Sequence, residues 1–154
     1  MKRILRLIGT VAFWTAWPVW WVYFRIGCRT RVVIEHDGKI LVVQNWLGAG
    51  RWILPGGGLH REENPGIGAA REVYEETGIK LEPKELRLIG KGKISHHGFG
   101  YKYVGFYAEM KEAVTLKPQR LEVAKLTWMT PSELSPGIAS KDTLVVLDEW
   151  QQRR

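Results

Sequence analysis

Residues 57–79 read GGLHREENPGIGAAREVYEETGI. A glycine turn, an acidic loop and a helix follow one another here without a break. Pro65 to Thr77 has the marks of a helix with both ends fixed. The Asn64 side chain can accept from a first-turn N–H, and Pro65 stands where a missing N–H costs nothing. Gly78 supplies the left-handed exit. Along the helix, Ile67, Ala70, Val73, Tyr74 and Thr77 form the face expected to pack on a sheet. The polar face carries Arg71, Glu72, Glu75 and Glu76. Glu72 and Glu76 are four apart and stack on one side, and Glu75 borders them. Three like charges this close repel. Either water screens them on a solvated face, or divalent cations turn the repulsion into attraction. Hard carboxylate oxygens on a rigid element suit Mg²⁺, which takes one or two carboxylates and fills its shell with water and phosphate oxygens. The run Trp52-Ile53-Leu54-Pro55-Gly56-Gly57-Gly58 just upstream favours the cation, because glycine lets backbone approach a ligand closely.

The spacing is Gly57, five residues, Glu63, seven residues, then Arg71-Glu72-Val73-Tyr74-Glu75-Glu76-Thr77-Gly78-Ile79. This resembles, at every specified position, the signature G-x5-E-x7-R-E-U-x-E-E-x-G-U of MutT-like Nudix hydrolases, where U is apolar. The box spans residues 57–79 and a looser resemblance covers about 31–150. The resemblance implies an α/β fold, an α/β/α sandwich with a mixed sheet, and Mg²⁺-dependent hydrolysis of a phosphoanhydride bond in a nucleoside diphosphate linked to another moiety, with Mn²⁺ as a substitute metal. It implies that Glu72, Glu75 and Glu76 bind metal with the Gly57 carbonyl, and that Arg71 and Glu63 pair to orient the helix. Glu122, six residues before Trp128, resembles a later acidic residue of the family and is expected as a further ligand or general base. Two departures stand out: His60 where an acidic residue is common, and Glu62 where glycine is usual. No hallmark of ADP-ribose or dinucleoside polyphosphate preference follows Ile79.

Outward from the box, Arg31–Glu35 and Lys39–Val43 are β-branched runs around His36-Asp37-Gly38, a hairpin pattern. Residues 86–95, 102–109 and 126–129 read as strands, 131–134 as a helical turn and 143–152 as a closing helix. Strands on both sides of one central helix indicate a layered α/β domain. The 154 residues fit one such domain and can bury a core without a staple. The lone Cys28 excludes an intramolecular disulfide.

The net charge of +7 is unevenly placed. Residues 1–30 hold Lys2, Arg3, Arg6, Arg25 and Arg29 and no acid, and residues 31–154 hold the other 18 basic and all 16 acidic residues. The catalytic portion therefore lacks the broad basic footprint of a nucleic-acid binder. Leu7 to Phe24 contains no charge and is rich in Trp. The expectation is a hydrophobic helix within a segment 1–30 that precedes a hydrolase domain 31–154. Its tryptophans and basic flanks suit membrane association of an otherwise cytoplasmic domain. Pro18, Gly9, Thr10 and Thr15 oppose a membrane span, and packing on the domain or on a second copy in a homodimer is the alternative.

Other features admit an ordinary reading. His96-His97-Gly98, following Lys91 and Lys93, is either a phosphate- or base-contacting loop or a polar turn. Trp46, Arg51 and Trp52 border the glycine loop, where one ring could stack on a base, although Trp52 suits core packing. Tyr101, Tyr103 and Tyr107 share a strand face, which either lines a cleft or packs. Three functions compete. A nucleotide pyrophosphohydrolase leads. A non-catalytic nucleotide-binding module would have no need of three carboxylates. A membrane-attached hydrolase of a lipid-linked diphosphate is motivated by residues 1–30.

Overall fold

Val32, Val33 and Ile34 on one strand and Ile40 to Val43 on the next are all fully buried. An apolar run without alternation requires a layer on each face of its sheet. The computed structural model provides both layers, and it describes residues 27–46, 50–96, 99–112, 114–118 and 123–154. In chain order the elements are β1 (Cys28–His36), β2 (Lys39–Asn45), α1 (Pro65–Thr77), β3 (Arg87–His96), β4 (Phe99–Glu109), β5 (Val123–Met129) and α2 (Lys141–Gln152). Single 3-10 turns precede β3 at Pro83–Glu85 and α2 at Pro131–Glu133.

The sheet has five strands in the order β3-β4-β1-β2-β5. β1 runs parallel to β4 and every other pair is antiparallel, so the sheet is mixed. The hairpin between β1 and β2 turns on Asp37 and Gly38, both at positive φ (48° and 74°). That pair of angles follows the right-handed twist of the strands.

α1 covers one face, where Val32, Ile34, Leu41, Phe106 and Ala108 meet Ala69 and Val73. α2 covers the other, where Val33, Ile40, Val42 and Tyr103 meet Val146, Leu147 and Trp150. The expected α/β/α sandwich is what forms. Trp128 packs half-buried against the α1-side core, and Trp52 against the α2-side core.

The three tyrosines of β4 all lie on the α2 side, away from the box. The Tyr103 hydroxyl donates to Glu149 at 2.6 Å and the Tyr107 hydroxyl to Glu35 at 2.9 Å. Burial, reinforced by carboxylate partners, pushes all three phenols up to about 12. They are packing residues with fixed hydroxyls on the sheet face opposite α1.

β1 begins at Cys28, inside the stretch expected to precede the domain. The anticipated hydrophobic helix lies outside the described residues. Among the described residues no helix is long and apolar enough to cross a membrane.

Candidate active site

The site is built where the glycine run threads alongside β1. Val32 donates its N–H to Pro55 O at 2.8 Å, Thr30 to Gly57 O at 2.8 Å, and Leu59 donates back to Cys28 O at 2.9 Å. The run therefore extends the sheet at the first half of β1. Gly56 holds φ +132°, and a Cβ there would stand 2.4 Å from the Thr30 carbonyl oxygen. Only glycine takes that conformation at that distance.

A buried ion pair pins the same turn from the α2 side. Arg31 Nε meets Asp142 Oδ2 at 2.6 Å, and another nitrogen of the same guanidinium donates to Gly56 O at 2.6 Å. Burial pushes the Asp142 carboxyl up. Arg31 outweighs it, helped by hydrogen bonds from Ser140 and Tyr101, and holds the carboxyl well below the ordinary range. Neither residue stands out in the sequence as part of the site. The signal present was a charged residue leading a fully apolar strand, and its partner is 111 positions away.

Each of two consecutive glycines meets one carboxylate of α1. Gly56 N donates to Glu76 Oε2 at 2.9 Å. The α-carbon of Gly57 lies so near Glu72 that a Cβ would stand 2.5 Å from Oε2. Both carboxylates are 3% exposed. This corrects the expected orientation of the helix. Glu72 and Glu76 share the inward face with Ala69, Val73 and Thr77, whereas Ile67 and Tyr74 are 54% and 39% exposed. The reason is that polar partners await the acids inside, so the helix rotates to present charge to the glycine loop rather than to bury Ile67.

Arg71 connects the cluster. Its guanidinium makes two 2.9 Å bonds to Glu63 and one of 2.8 Å to Glu72, stands 3.5 Å from Glu75, and donates to Gly58 O at 3.1 Å. The forked Arg71–Glu63 pair is the expected one. Hydrogen bonds from Arg71 are the main cause that lowers the Glu63 carboxyl to about 2, with the His60 N–H contributing. The bond to Glu63 in turn raises the Arg71 guanidinium. Glu63 is thus held in its anionic form by Arg71 and fixes it, and Arg71 in turn steadies Glu72 and Glu75.

Among the described residues no three His, Cys, Asp or Glu side chains are already gathered into a cage for a metal ion. The donor set nevertheless fits one. Glu72 and Glu76 are hard oxygen donors on one rigid turn, Glu75 is a third beside them, and the cradle over Gly57 has no room for a Cβ. The Gly57 carbonyl accepts from Thr30 N at 2.8 Å and, at a long 3.4 Å, from the Thr30 hydroxyl, which can rotate away and leave that lone pair to a cation. Mg²⁺ needs only one or two carboxylates beyond water and phosphate oxygens. Glu122, expected as a further ligand or base, lies outside the described residues, as does His97. Trp46 is 72% exposed just after β2.

Comparison with known proteins agrees with this geometry. The family profile of the NUDIX domain matches residues 28–148. A MutT-like protein of Streptomyces ambofaciens is 35% identical over 117 residues, which is 76% of this chain and 71% of that protein. Human diphosphoinositol polyphosphate phosphohydrolase 3-alpha is 50% identical over 56 residues, covering 36% of this chain and a third (33%) of that one. Among solved structures, a NUDIX hydrolase from Nitrosomonas europaea superposes with a TM-score of 0.71 at 20% identity, over 82% of this chain and 88% of its own.

Proposed function

This chain belongs to the NUDIX family and is a hydrolase of that family, and from that premise we propose that it cuts a phosphoanhydride bond in a nucleoside diphosphate linked to another moiety, with Mg²⁺ as its metal. The observation that carries this reading is the inward-facing pair Glu72 and Glu76. Two carboxylates lie almost fully buried on one helix turn, each against a glycine of the neighbouring loop. Burying them costs stability that packing alone would not repay.

Glu72 and Glu76 would hold the metal, with Glu75 and the Gly57 carbonyl beside them and Glu122 as an added donor. Bound there, a divalent ion supplies a Lewis acid for phosphoryl oxygens and a water of lowered pKa. The chain's own residues contribute position. Arg71 orients Glu72 and Glu75, Glu63 fixes Arg71, and the Arg31–Asp142 pair fixes the Gly56 turn from which one carboxylate takes its hydrogen bond. Glu75, half-buried and 3.5 Å from Arg71, is the most solvent-accessible of the three and is suited to accept a proton from attacking water. In phosphoryl chemistry such positioning and charge placement supply most of the rate.

The test is a hydrolysis screen over nucleotide sugars, dinucleotides, oxidised nucleoside triphosphates, lipid diphosphates and diphosphoinositol polyphosphates. Turnover of at least one class is expected with Mg²⁺, lost on chelation and restored by added metal. A rate indifferent to chelator would overturn the assignment.

A further inference from the structure

Three lysines stand together on the sheet beside the box. In the β3–β4 ladder Lys93 lies directly opposite Lys102, and Lys91 lies opposite Val104. Lys102 is in turn the partner of Cys28 on β1, and Cys28 O accepts the N–H of Leu59 from the box loop. A single row thus runs from the box loop through Cys28 and Lys102 to Lys93. At about 4.8 Å per strand, Lys102 is roughly 10 Å from the box backbone and Lys93 roughly 15 Å.

The lysines share the α1 side of the sheet. Lys102 has the parity of Val104, Phe106 and Ala108, which pack in the α1-side core, and residues paired across a ladder point the same way. All three lysines are exposed. Like charges placed directly opposite in a sheet destabilise it. Among the described residues no carboxylate offsets them, for none of the three forms an ion pair or side-chain hydrogen bond there. The cost is local, because residues 31–154 as a whole are near neutral, with 18 basic and 16 acidic side chains. A compact polyanion that also reaches the box answers this pattern, whereas a long nucleic-acid backbone would need a broader positive field.

We propose that Lys91, Lys93 and Lys102 form a phosphate platform that selects diphosphate substrates carrying further phosphate groups away from the bond being cut. This rests on the hydrolytic reading of the same site. Extended lysine side chains reach phosphate oxygens as point charges without fixed geometry, which suits several phosphates on one compact scaffold.

The test uses the full-length chain, the double variant K93Q/K102Q and the charge-keeping K93R/K102R. Two measurements run in parallel: binding of inositol hexakisphosphate by titration calorimetry, and the ratio of kcat/KM for a diphosphoinositol polyphosphate to that for ADP-ribose. The glutamine variant is expected to weaken binding, and to lower the ratio, by about tenfold for each lysine removed. The arginine variant should keep most of both. Equal binding by parent and glutamine variant overturns the platform, as does an unchanged kcat/KM ratio in a chelator-sensitive enzyme. Lysine-dependent binding with no Mg²⁺-dependent turnover of any class in the hydrolysis screen would instead leave the platform standing and sink the hydrolytic reading.

Discussion

The two helices occupy equivalent places on opposite faces of one sheet, yet they bury different chemistry. α2 turns Val146, Leu147 and Trp150 inward; its buried Asp142 is neutralised by Arg31, and its half-buried Glu149 takes the hydroxyl of Tyr103. α1 has a similar length but turns Glu72 and Glu76 inward alongside Ala69 and Val73, and leaves Ile67 outside. A helix shaped by packing alone would look like α2. The contrast teaches that α1 gives up burial energy to hold charge at the glycine loop. Substitutions on its inward face should therefore strike chemistry, and those on α2 should strike stability.

The sharpest way to break that contrast is Glu76→Gln. The amide oxygen can still accept from Gly56 N, so the contact survives while the charge goes. Turnover is expected to fall by at least about a hundredfold, as when a group aimed at developing charge is removed. The melting temperature should hold or rise, because one of the crowded negative charges is lost. Parent-like kcat in this variant would remove Glu76 from the mechanism. A large loss of stability with normal kcat would place α1 in the same class as α2.

Trp150→Ala is the converse. The indole is 1% exposed and stacks on Tyr107 at 6.0 Å between centroids. Truncation should cost about 3–5 kcal/mol, a drop of roughly 10 °C in melting temperature. The kcat of the folded fraction, measured well below the new midpoint, should stay near the parent's. A kcat that falls in step with Glu76→Gln would mean the two faces are not separable.

The same contrast explains what the sequence could reveal. Helix α1 is legible to the residue, Pro65–Thr77, because Asn64, Pro65 and Gly78 fix its ends by local chemistry. The box residues that converge, Gly57, Glu63, Arg71, Glu72 and Glu76, are legible because their spacing is fixed. Which face of α1 points inward is not, since apolar pattern assumes that burial follows hydrophobicity and here a distant loop supplies partners for charge. The Arg31–Asp142 pair and the parallel pairing of β1 with β4 join segments far apart in the chain, and no local pattern announces either. The start of β4 at Phe99 rather than Lys102 follows from ladder bonds to β3, which extend the strand past its β-branched core.

The smallest expected effect separates the entrances to the two helices. Ser140 leads into α2 at φ −73°, an ordinary extended conformation. Glu62, two residues before the Asn64 cap of α1, sits at φ 60°, the left-handed region that side chains avoid. Its ion pair with Arg61 spans 3.5 Å between side chains 94% and 84% exposed, so it offsets little of the cost. A left-handed non-glycine residue costs roughly 1–2 kcal/mol, while a glycine gives back about 0.4–1 kcal/mol through the freer unfolded chain. Glu62→Gly should therefore raise stability by a few tenths to about 1 kcal/mol, a rise of at most about 4 °C in melting temperature. Because Glu62 makes no bond to Arg71 or the α1 carboxylates, the forked Glu63–Arg71 pair should survive and kcat should stay within about twofold. A lowered melting temperature would show that the Glu62 side chain holds the loop after all. A raised melting temperature with a tenfold loss of kcat would show that the strained turn is itself part of how Glu63 presents Arg71 to the carboxylates.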